Sequence, residues 1–267
     1  MKKICFVGGG NMASAIIVGL RKVAPSLDVH VVEPFAEARE RMAAIGAVVY
    51  EVPARAGTEN ADAIVLATKP QTLKDACAQL APCLNGELIV SIAAGTRIAS
   101  IASWLGGKTN RIVRTMPNTP ALVGQGITGV FAPASLSQND IDTAMQLMRA
   151  CGDVIRVDDE AMIDAVTAVS GSGPAYVFHW IESMIAAAKN VGFNDADARK
   201  LVLATLKGAT TLAESSDESP ATLRERVTSK GGTTAAALAV ISERGVQQAL
   251  IDAVAAARDR GQELGKA

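Results

Sequence analysis

Short apolar segments alternate with amphipathic segments through the first 160 residues of the chain. The apolar segments are typical of buried strands, and they lie at 4–7, 29–32, 63–67, 88–92, 111–115, 127–131 and 154–157. The amphipathic segments predict helices at 12–22, 36–45, about 72–80 and 138–150. Because strands that alternate with helices form parallel sheets covered on both faces, residues 1–160 are expected to form an α/β domain.

Beyond residue 160 the strand pattern stops and only helical patterns remain. They cover 162–169, 175–191, 195–214, 220–227, 234–242 and 246–264. Residues 161–267 are therefore expected to form an all-helical domain. Some of these helices, such as 181–191, are apolar around most of their circumference and must be covered on several sides. This predicts association with a second copy of the chain.

Composition narrows the class of protein. The chain is 49% hydrophobic and 20% charged, so it is expected to fold rather than remain disordered. Its 26 basic residues are balanced by 27 acidic ones, which makes nucleic acid an unexpected partner. The longest apolar runs are too short for a membrane helix. Four scattered cysteines indicate reduced thiols and a cytoplasmic protein, and two isolated histidines predict no metal site.

The strongest local motif is GGGNMA at residues 8–13, directly after the first strand and at the start of the first helix. It fits the GxGxxA fingerprint of dinucleotide-binding proteins. Gly8 permits the tight turn, Gly10 lets a pyrophosphate approach the backbone, and Ala13 keeps the helix close to the sheet. The helix N-terminus then offers free N–H groups to the phosphates.

Glu33 follows the second strand, where an acidic side chain binds the adenosine ribose hydroxyls. A carboxylate at this position repels a 2′-phosphate and favours NAD. Arg39 and Arg41 follow on the next helix, and they either reach back to the 2′-phosphate of NADP or are solvated helix charges. The choice between NADH and NADPH stays open from sequence.

Three further loops follow successive strands: ATKP at 67–70, SIAAG at 91–95 and MPNTP at 116–120. They belong to the edge of the sheet where such folds bind ligands. Lys69 can approach a cofactor phosphate or ribose, and the small residues of SIAAG leave room for a nicotinamide ring. Each loop alone also fits an ordinary strand-to-helix connection that binds no ligand.

Two motifs lie in the helical half. SGSGPA at 170–175 begins a long helix, with Pro174 in its first turn. TSKGGTT at 228–234 joins two helices and combines hydroxyls with consecutive N–H groups, which suits a small carboxylate. The sequence contains no catalytic triad in Ser/His/Asp order, no GxSxG motif, no Walker lysine and no carboxylate pair with an obvious role. Hydride delivery to an electrophilic C=N bond needs little more than a hydroxyl that bonds the nitrogen.

The ordered set GGGNMA, ATKP, SIAAG, RTMPNTPA, SGSGPAY and VTSKGGTTAAAL spans nearly the whole chain and resembles the pyrroline-5-carboxylate reductase family. The resemblance implies an α/β Rossmann-like dinucleotide-binding domain followed by an all-α dimerisation domain, with dimers often assembled into larger rings. It also implies reduction of 1-pyrroline-5-carboxylate to L-proline with NADPH or NADH, the last step of proline biosynthesis.

The site residues implied by the resemblance are carried over motif by motif. The cofactor set, to which Glu33 and Asn118 are added from the loop pattern, is Val7, Gly8, Gly9, Gly10, Asn11, Met12, Ala67, Thr68, Lys69, Pro70, Ile92, Ala93 and Ala94. The substrate set is Ser229, Gly231, Gly232, Thr233 and Thr234. Thr234 would also hydrogen-bond the imine nitrogen as proton donor.

The chain departs from the family pattern at two places. Lys230 replaces the usual proline, and Glu33-Pro34 stands where many relatives have a polar or basic pair, which puts a preference for NADP in doubt. Two alternatives remain: a reductase of another cyclic imine or a hydroxy acid, and a non-catalytic dinucleotide sensor. The residues after SGSGP lack the early lysine of hydroxy-acid dehydrogenases, and the intact GGTT loop argues against the sensor.

Overall fold

A single eight-stranded sheet forms the first part of the molecule in the computed structural model, which describes residues 1–265. The strands are β1 (Lys3–Val7), β2 (Asp28–Val32), β3 (Val48–Tyr50), β4 (Ala63–Leu66), β5 (Ile89–Ser91), β6 (Ile112–Met116), β7 (Gly126–Phe131) and β8 (Gly152–Val157). Their order in the sheet is β3-β2-β1-β4-β5-β6-β7-β8. Only the β6–β7 pair is antiparallel among these strands.

Helices connect the strands and then form the rest of the chain. Those of the first part are α1 (Asn11–Val23), α2 (Ala36–Ala44), α3 (Arg55–Thr58), α4 (Pro70–Leu80), α5 (Ile98–Trp104), α6 (Gln138–Arg149) and α7 (Met162–Val166). The later ones are α8 (Gly173–Asn190), α9 (Asp195–Glu214), α10 (Pro220–Arg226), α11 (Thr233–Glu243) and α12 (Val246–Leu264). The expected α/β part and the helical part that follows it are confirmed.

Three short elements were not expected from the sequence: β3, α3 and α5. They have three, four and seven residues, and β3 is a partly exposed strand at the edge of the sheet. The helix expected over 162–169 is also different, because α7 ends at Val166 and a π-helical turn follows at Thr167–Gly171.

The core of the sheet lies on both of its faces. Ile4, Phe6 and Val31 belong to an apolar cluster on one face with α1 and α6, while Cys5 and Val7 belong to a cluster on the other face with α4 and α5. Alternate residues of β1 thus face opposite layers, as in any strand covered on both sides.

The chain divides into two compact units. One comprises Met1–Pro174 together with residues 256–265, and the other is Ala175–Ala255. The second unit buries few side chains: α8, α10 and α11 bury none, and α9 buries Ala198 and Val202. Across residues 1–265, no helix combines the length and apolarity needed to cross a membrane. The domain boundary at residue 160 stays a prediction.

Candidate functional site

The turn after β1 is built on a glycine that no other residue can replace without strain. Gly8 has φ +106°, in the region that L side chains rarely adopt. A Cβ on Gly8 would lie 2.6 Å from the carbonyl oxygen of Ala67, and the Gly8 N–H donates to Val32 O at 2.8 Å. The turn is therefore wedged between β2 and the loop that follows β4.

Gly10 has a different role in the same motif. It precedes the first residue of α1 with an extended backbone, φ −78° and ψ −176°. A Cβ on Gly10 would meet no atom of residues 1–265 within 4 Å, so the space beside this helix N-terminus is open. The first-turn N–H groups have no partner within the helix. An open, donor-rich space of this kind fits a pyrophosphate.

Glu33 comes directly after β2 and is 7% exposed. Its Oε2 accepts a hydrogen bond from Gly9 N at 2.8 Å, and its Oε1 accepts one from Phe35 N at 3.0 Å. A Cβ on Gly9 would lie 2.9 Å from Met42 Cγ and 3.3 Å from Glu33 Cγ. The carboxylate is thus fixed against the glycine motif, at the position expected from the sequence.

Arg39 lies on α2 beside this carboxylate. Its Nη1 donates to Glu33 O at 2.9 Å and to Pro34 O at 2.7 Å, and its Nη2 lies 3.4 Å from Glu51 Oε2. Arg39 therefore holds the turn between β2 and α2, whereas Arg41 is an exposed helix charge.

The loop after β4 places a lysine and a proline at the start of the next helix. Pro70 is the first residue of α4, where its missing N–H costs no helical hydrogen bond, and Lys69 before it is exposed. Within residues 1–265, the buried Thr68 Oγ1 has no hydrogen-bond partner. Such an unsatisfied hydroxyl is unusual in a protein interior and is consistent with a ligand-binding loop.

The carboxyl ends of β5 and β6 are joined by a side-chain hydrogen bond. The buried Thr115 Oγ1 donates to Ser91 O at 2.9 Å, and Ala93 N donates to Ser91 Oγ at 3.3 Å. Asn118 is 8% exposed, and its Oδ1 accepts from Ile127 N at 2.9 Å, which gives it a structural role as well. In the loop after β5, Ala93 and Ala94 leave little side-chain bulk at this edge of the sheet.

All of the expected cofactor residues lie in the first unit, at the carboxyl ends of β2, β1, β4, β5 and β6. These five strands are adjacent in the sheet. The chain order reverses between β1 and β4, and ligands bind at such a reversal in open α/β sheets. The structure thus brings the expected cofactor residues to one edge of the sheet.

Sequence reasoning missed a buried ionic cluster near this edge. Arg114 is fully buried in β6, and its Nη2 donates to Asp164 Oδ1 at 2.7 Å. Asp164 Oδ2 accepts from Arg97 Nη2 at 2.9 Å, and Glu160 Oε1 accepts from Ile98 N at 2.8 Å. The cluster joins the start of α5 to α7. The arginine within the apolar strand IVRTM was the one sequence signal of a buried charge. Its partners could not be inferred from it, because Glu160 and Asp164 lie 46 and 50 residues further along the chain.

The GGTT loop lies in the second unit and ends as the start of α11. Gly231 has φ +72°, and Gly232 precedes the helix with an extended backbone, φ −81° and ψ 175°. A Cβ on Gly232 would collide with Ser229 Oγ, so this hydroxyl lies directly beside the helix N-terminus. Thr233 and Thr234 are the first two residues of α11. Hydroxyls and first-turn N–H groups together make an anion-binding arrangement.

His30 and the buried cysteines have structural surroundings rather than catalytic ones. His30 Nε2 lies 2.8 Å from Asp28 Oδ2 and its Nδ1 lies 3.0 Å from Tyr50 Oη, an acidic contact that the sequence did not suggest. Burial raises the pKa of the Cys5 and Cys77 thiols to about 12, which makes them unreactive. Among the described residues, no group of three His, Cys, Asp or Glu side chains is arranged to hold a metal ion.

Two family models match separate parts of the chain. A family model described as pyrroline-5-carboxylate reductase dimerisation matches residues 160–264. A model described as NADP oxidoreductase coenzyme F420-dependent matches residues 3–95. Pyrroline-5-carboxylate reductase from Pseudomonas aeruginosa is 45% identical over 98% of this chain and 96% of its own.

Solved structures agree with these sequence comparisons. A pyrroline-5-carboxylate reductase from Coxiella burnetii is 37% identical, with a TM-score of 0.91 over 100% of this chain and 99% of its own. A pyrroline carboxylate reductase from Plasmodium falciparum, solved with NADP bound, is 28% identical, with a TM-score of 0.85 over 99% of this chain and 98% of its own. With relatives at this identity over nearly its full length, the chain belongs to the pyrroline-5-carboxylate reductase family.

Proposed function

We propose that this chain reduces 1-pyrroline-5-carboxylate to L-proline with NADPH or NADH, as the last step of proline biosynthesis. The observation that carries the proposal is a pair of helix N-termini that each follow a glycine. Gly10 leaves open space beside α1, which suits a dinucleotide pyrophosphate, and Gly232 precedes α11, which suits a small carboxylate. The relatives described above carry the name of this activity.

The first unit would bind the cofactor through the residues at the carboxyl ends of its strands. Residues 7–12, Glu33 and Asn118 would contribute together with the loops 67–70 and 92–94. In this arrangement Lys69 is an exposed cation available to a phosphate or ribose, and the alanines 93 and 94 leave room for the nicotinamide ring. The reduced nicotinamide, when bound, supplies the hydride.

The second unit would bind the substrate. Ser229, Gly231, Gly232 and Thr233 would hold the carboxylate at the N-terminus of α11, where first-turn N–H groups and hydroxyls are available to donate hydrogen bonds to it. The Thr234 hydroxyl would bond the imine nitrogen and pass it a proton. Hydride addition to the imine carbon and proton addition to the nitrogen together convert the C=N bond into the C–N bond of proline.

We also propose that the working form is a homodimer, that dimers assemble into a larger ring, and that the protein acts in the cytoplasm. The matched dimerisation model and the exposed apolar helices of the second unit support the oligomer. The three buried cysteines with unbridged thiols fit a reducing compartment.

The experiment is a steady-state assay with 1-pyrroline-5-carboxylate and each reduced cofactor in turn, using wild type, Thr234→Ala and Thr234→Ser. We expect Thr234→Ala to lower kcat by about one to two orders of magnitude, since a positioned proton donor contributes on that scale or more. Thr234→Ser keeps the hydroxyl and is expected to retain most of the activity.

The outcomes separate the alternatives. Unchanged kcat in Thr234→Ala would remove the role of this hydroxyl. Wild type that binds a reduced cofactor but does not oxidise it with pyrroline carboxylate would favour the dinucleotide sensor. Faster turnover with a different cyclic imine or a hydroxy acid would reassign the substrate.

A further inference from the structure

We infer that Glu33 makes this chain select NADH over NADPH, because its carboxylate is fixed where a 2′-phosphate would have to lie. The inference rests on the cofactor half of the proposed function. In this fold the residue that ends the second strand faces the adenosine ribose, and a carboxylate there accepts hydrogen bonds from the ribose hydroxyls. A 2′-phosphate at the same position would bring two like charges together.

The carboxylate of Glu33 cannot turn away easily. Each of its oxygens accepts a backbone hydrogen bond, Oε2 from Gly9 N at 2.8 Å and Oε1 from Phe35 N at 3.0 Å. Both bonds involve an ionised acceptor and are therefore stronger than neutral ones. Turning the side chain away from a phosphate would leave these N–H groups without their acceptor, and Met42 packs against the same glycine.

Arg39, the cation beside Glu33, is not free to bind a 2′-phosphate. The Arg39 Nη1 group donates to Glu33 O and Pro34 O at 2.9 and 2.7 Å, so both of its hydrogens are used by the turn. Its Nη2 faces the carboxylate of Glu51. Binding a 2′-phosphate through Arg39 would therefore break contacts that hold the turn between β2 and α2.

This assignment differs from what the relatives' descriptions would suggest. The model matching residues 3–95 is described as an NADP oxidoreductase, and one solved relative contains NADP. The selectivity is thus a property of Glu33 in this chain, and it is testable by exchanging that residue.

The test measures binding without substrate, by titrating NADH and NADPH into the wild-type protein and following fluorescence or heat. We expect NADPH to bind at least about tenfold more weakly than NADH, a difference of about 1.4 kcal/mol. Glu33→Gln removes the charge at nearly constant volume and should reduce the ratio of the two Kd values to near unity. Glu33→Ser, measured alongside it, should do the same if the amide of glutamine fits poorly against Phe35 N.

Glu37→Gln is the matched control. Glu37 lies in the first turn of α2, is exposed, and loses the same charge on substitution. We expect it to leave the ratio of Kd values within about twofold of wild type, because an exposed charge is screened by solvent.

The salt dependence of the two Kd values distinguishes repulsion of the 2′-phosphate by Glu33 from its attraction by Arg39. If the 2′-phosphate is repelled, the ratio of Kd for NADPH to Kd for NADH falls as ionic strength rises; if Arg39 attracts it, the ratio rises. Tighter binding of NADPH than NADH by wild type, or an unchanged ratio in both Glu33 variants, would overturn the inference while leaving the proposed reductase intact. Failure to bind either cofactor would contradict the proposed function and the inference with it.

Discussion

We expect alanine to have opposite effects at two glycines of the GGGNMA motif. Gly8 has a positive φ and a backbone oxygen 2.6 Å from its ideal Cβ position, whereas Gly10 has an ordinary φ and open space. Alanine at position 8 should therefore damage folding. At position 10 it should damage cofactor binding and leave folding intact.

The magnitudes follow from these geometries. For Gly8→Ala, a non-glycine residue held in an unfavourable backbone region costs roughly 1–3 kcal/mol, and overpacking against a backbone atom costs a similar amount. The sum, about 2–6 kcal/mol, is a large part of the roughly 5–15 kcal/mol that stabilises an ordinary protein. For Gly10→Ala, the lower entropy of the unfolded chain gains about 0.4–1 kcal/mol, which offsets the poorer capping by alanine.

The assay combines urea denaturation with cofactor titration on both variants at one protein concentration. Gly10→Ala should unfold within about 0.5 kcal/mol of wild type and bind its cofactor at least about tenfold more weakly, since its methyl group fills the pyrophosphate approach. Wild-type cofactor affinity in Gly10→Ala would refute the assignment of this space to a pyrophosphate. Wild-type stability in Gly8→Ala would refute the steric argument at the turn.

The other predictions concern charged groups that stabilise the first unit. Arg114→Met should destabilise the protein by about 2–3 kcal/mol in urea denaturation, because Asp164, which is 1% exposed, loses its fully buried partner and keeps only Arg97. Arg55→Met, with its half-exposed side chain, is the control and should cost under about 1 kcal/mol. The Arg111 guanidinium donates hydrogen bonds to the Asp140 carboxylate and lowers the pKa of that carboxyl in the folded protein. The interaction therefore stabilises the folded protein at pH values above the ordinary pKa of aspartate, and this stabilisation is lost as the pH falls through the lowered pKa. Asp140→Asn should therefore cost about 1 kcal/mol at neutral pH, and the difference from wild type should vanish as the pH falls through the lowered pKa; a difference that persists in strong acid would contradict the ionic explanation.

The sequence predicted the parts of the fold that have a clear hydrophobic pattern. Most of the expected strands are buried apolar segments, including β5 with only three residues, and the long helices have enough residues for a helical period. β3 and α3 are short and partly exposed, and their positions depend on pairing with β2 and on packing against β1, which no local pattern records. The antiparallel direction of β7 was also outside the reach of periodicity, because a buried strand has the same pattern in either direction.

The candidate site divides in the same way. Local motifs were sufficient to locate Gly8, Gly10 and Glu33, because the fingerprint fixes backbone geometry over a short stretch of chain. They did not predict that Glu33 accepts the N–H of Gly9, a contact between residues 24 positions apart. The Arg97–Asp164 contact spans 67 positions, and only the folded sheet brings these two side chains together.

The helices of the second unit explain why an alanine-rich, apolar half follows a conventional α/β half. Three of its helices, α8, α10 and α11, bury no residue in the single chain. Large apolar side chains on them remain exposed, including Phe178 at 60%, Val240 at 56% and Ile241 at 44%. Exposed large apolar side chains on neighbouring helices are typical of a surface that another protein covers. A second copy of the chain is the occupant that fits, since the model matching this region is one of dimerisation and small alanine side chains allow helices to approach closely. Folding of this part of the chain would then be coupled to association, because the exposed apolar side chains named above become buried against the partner.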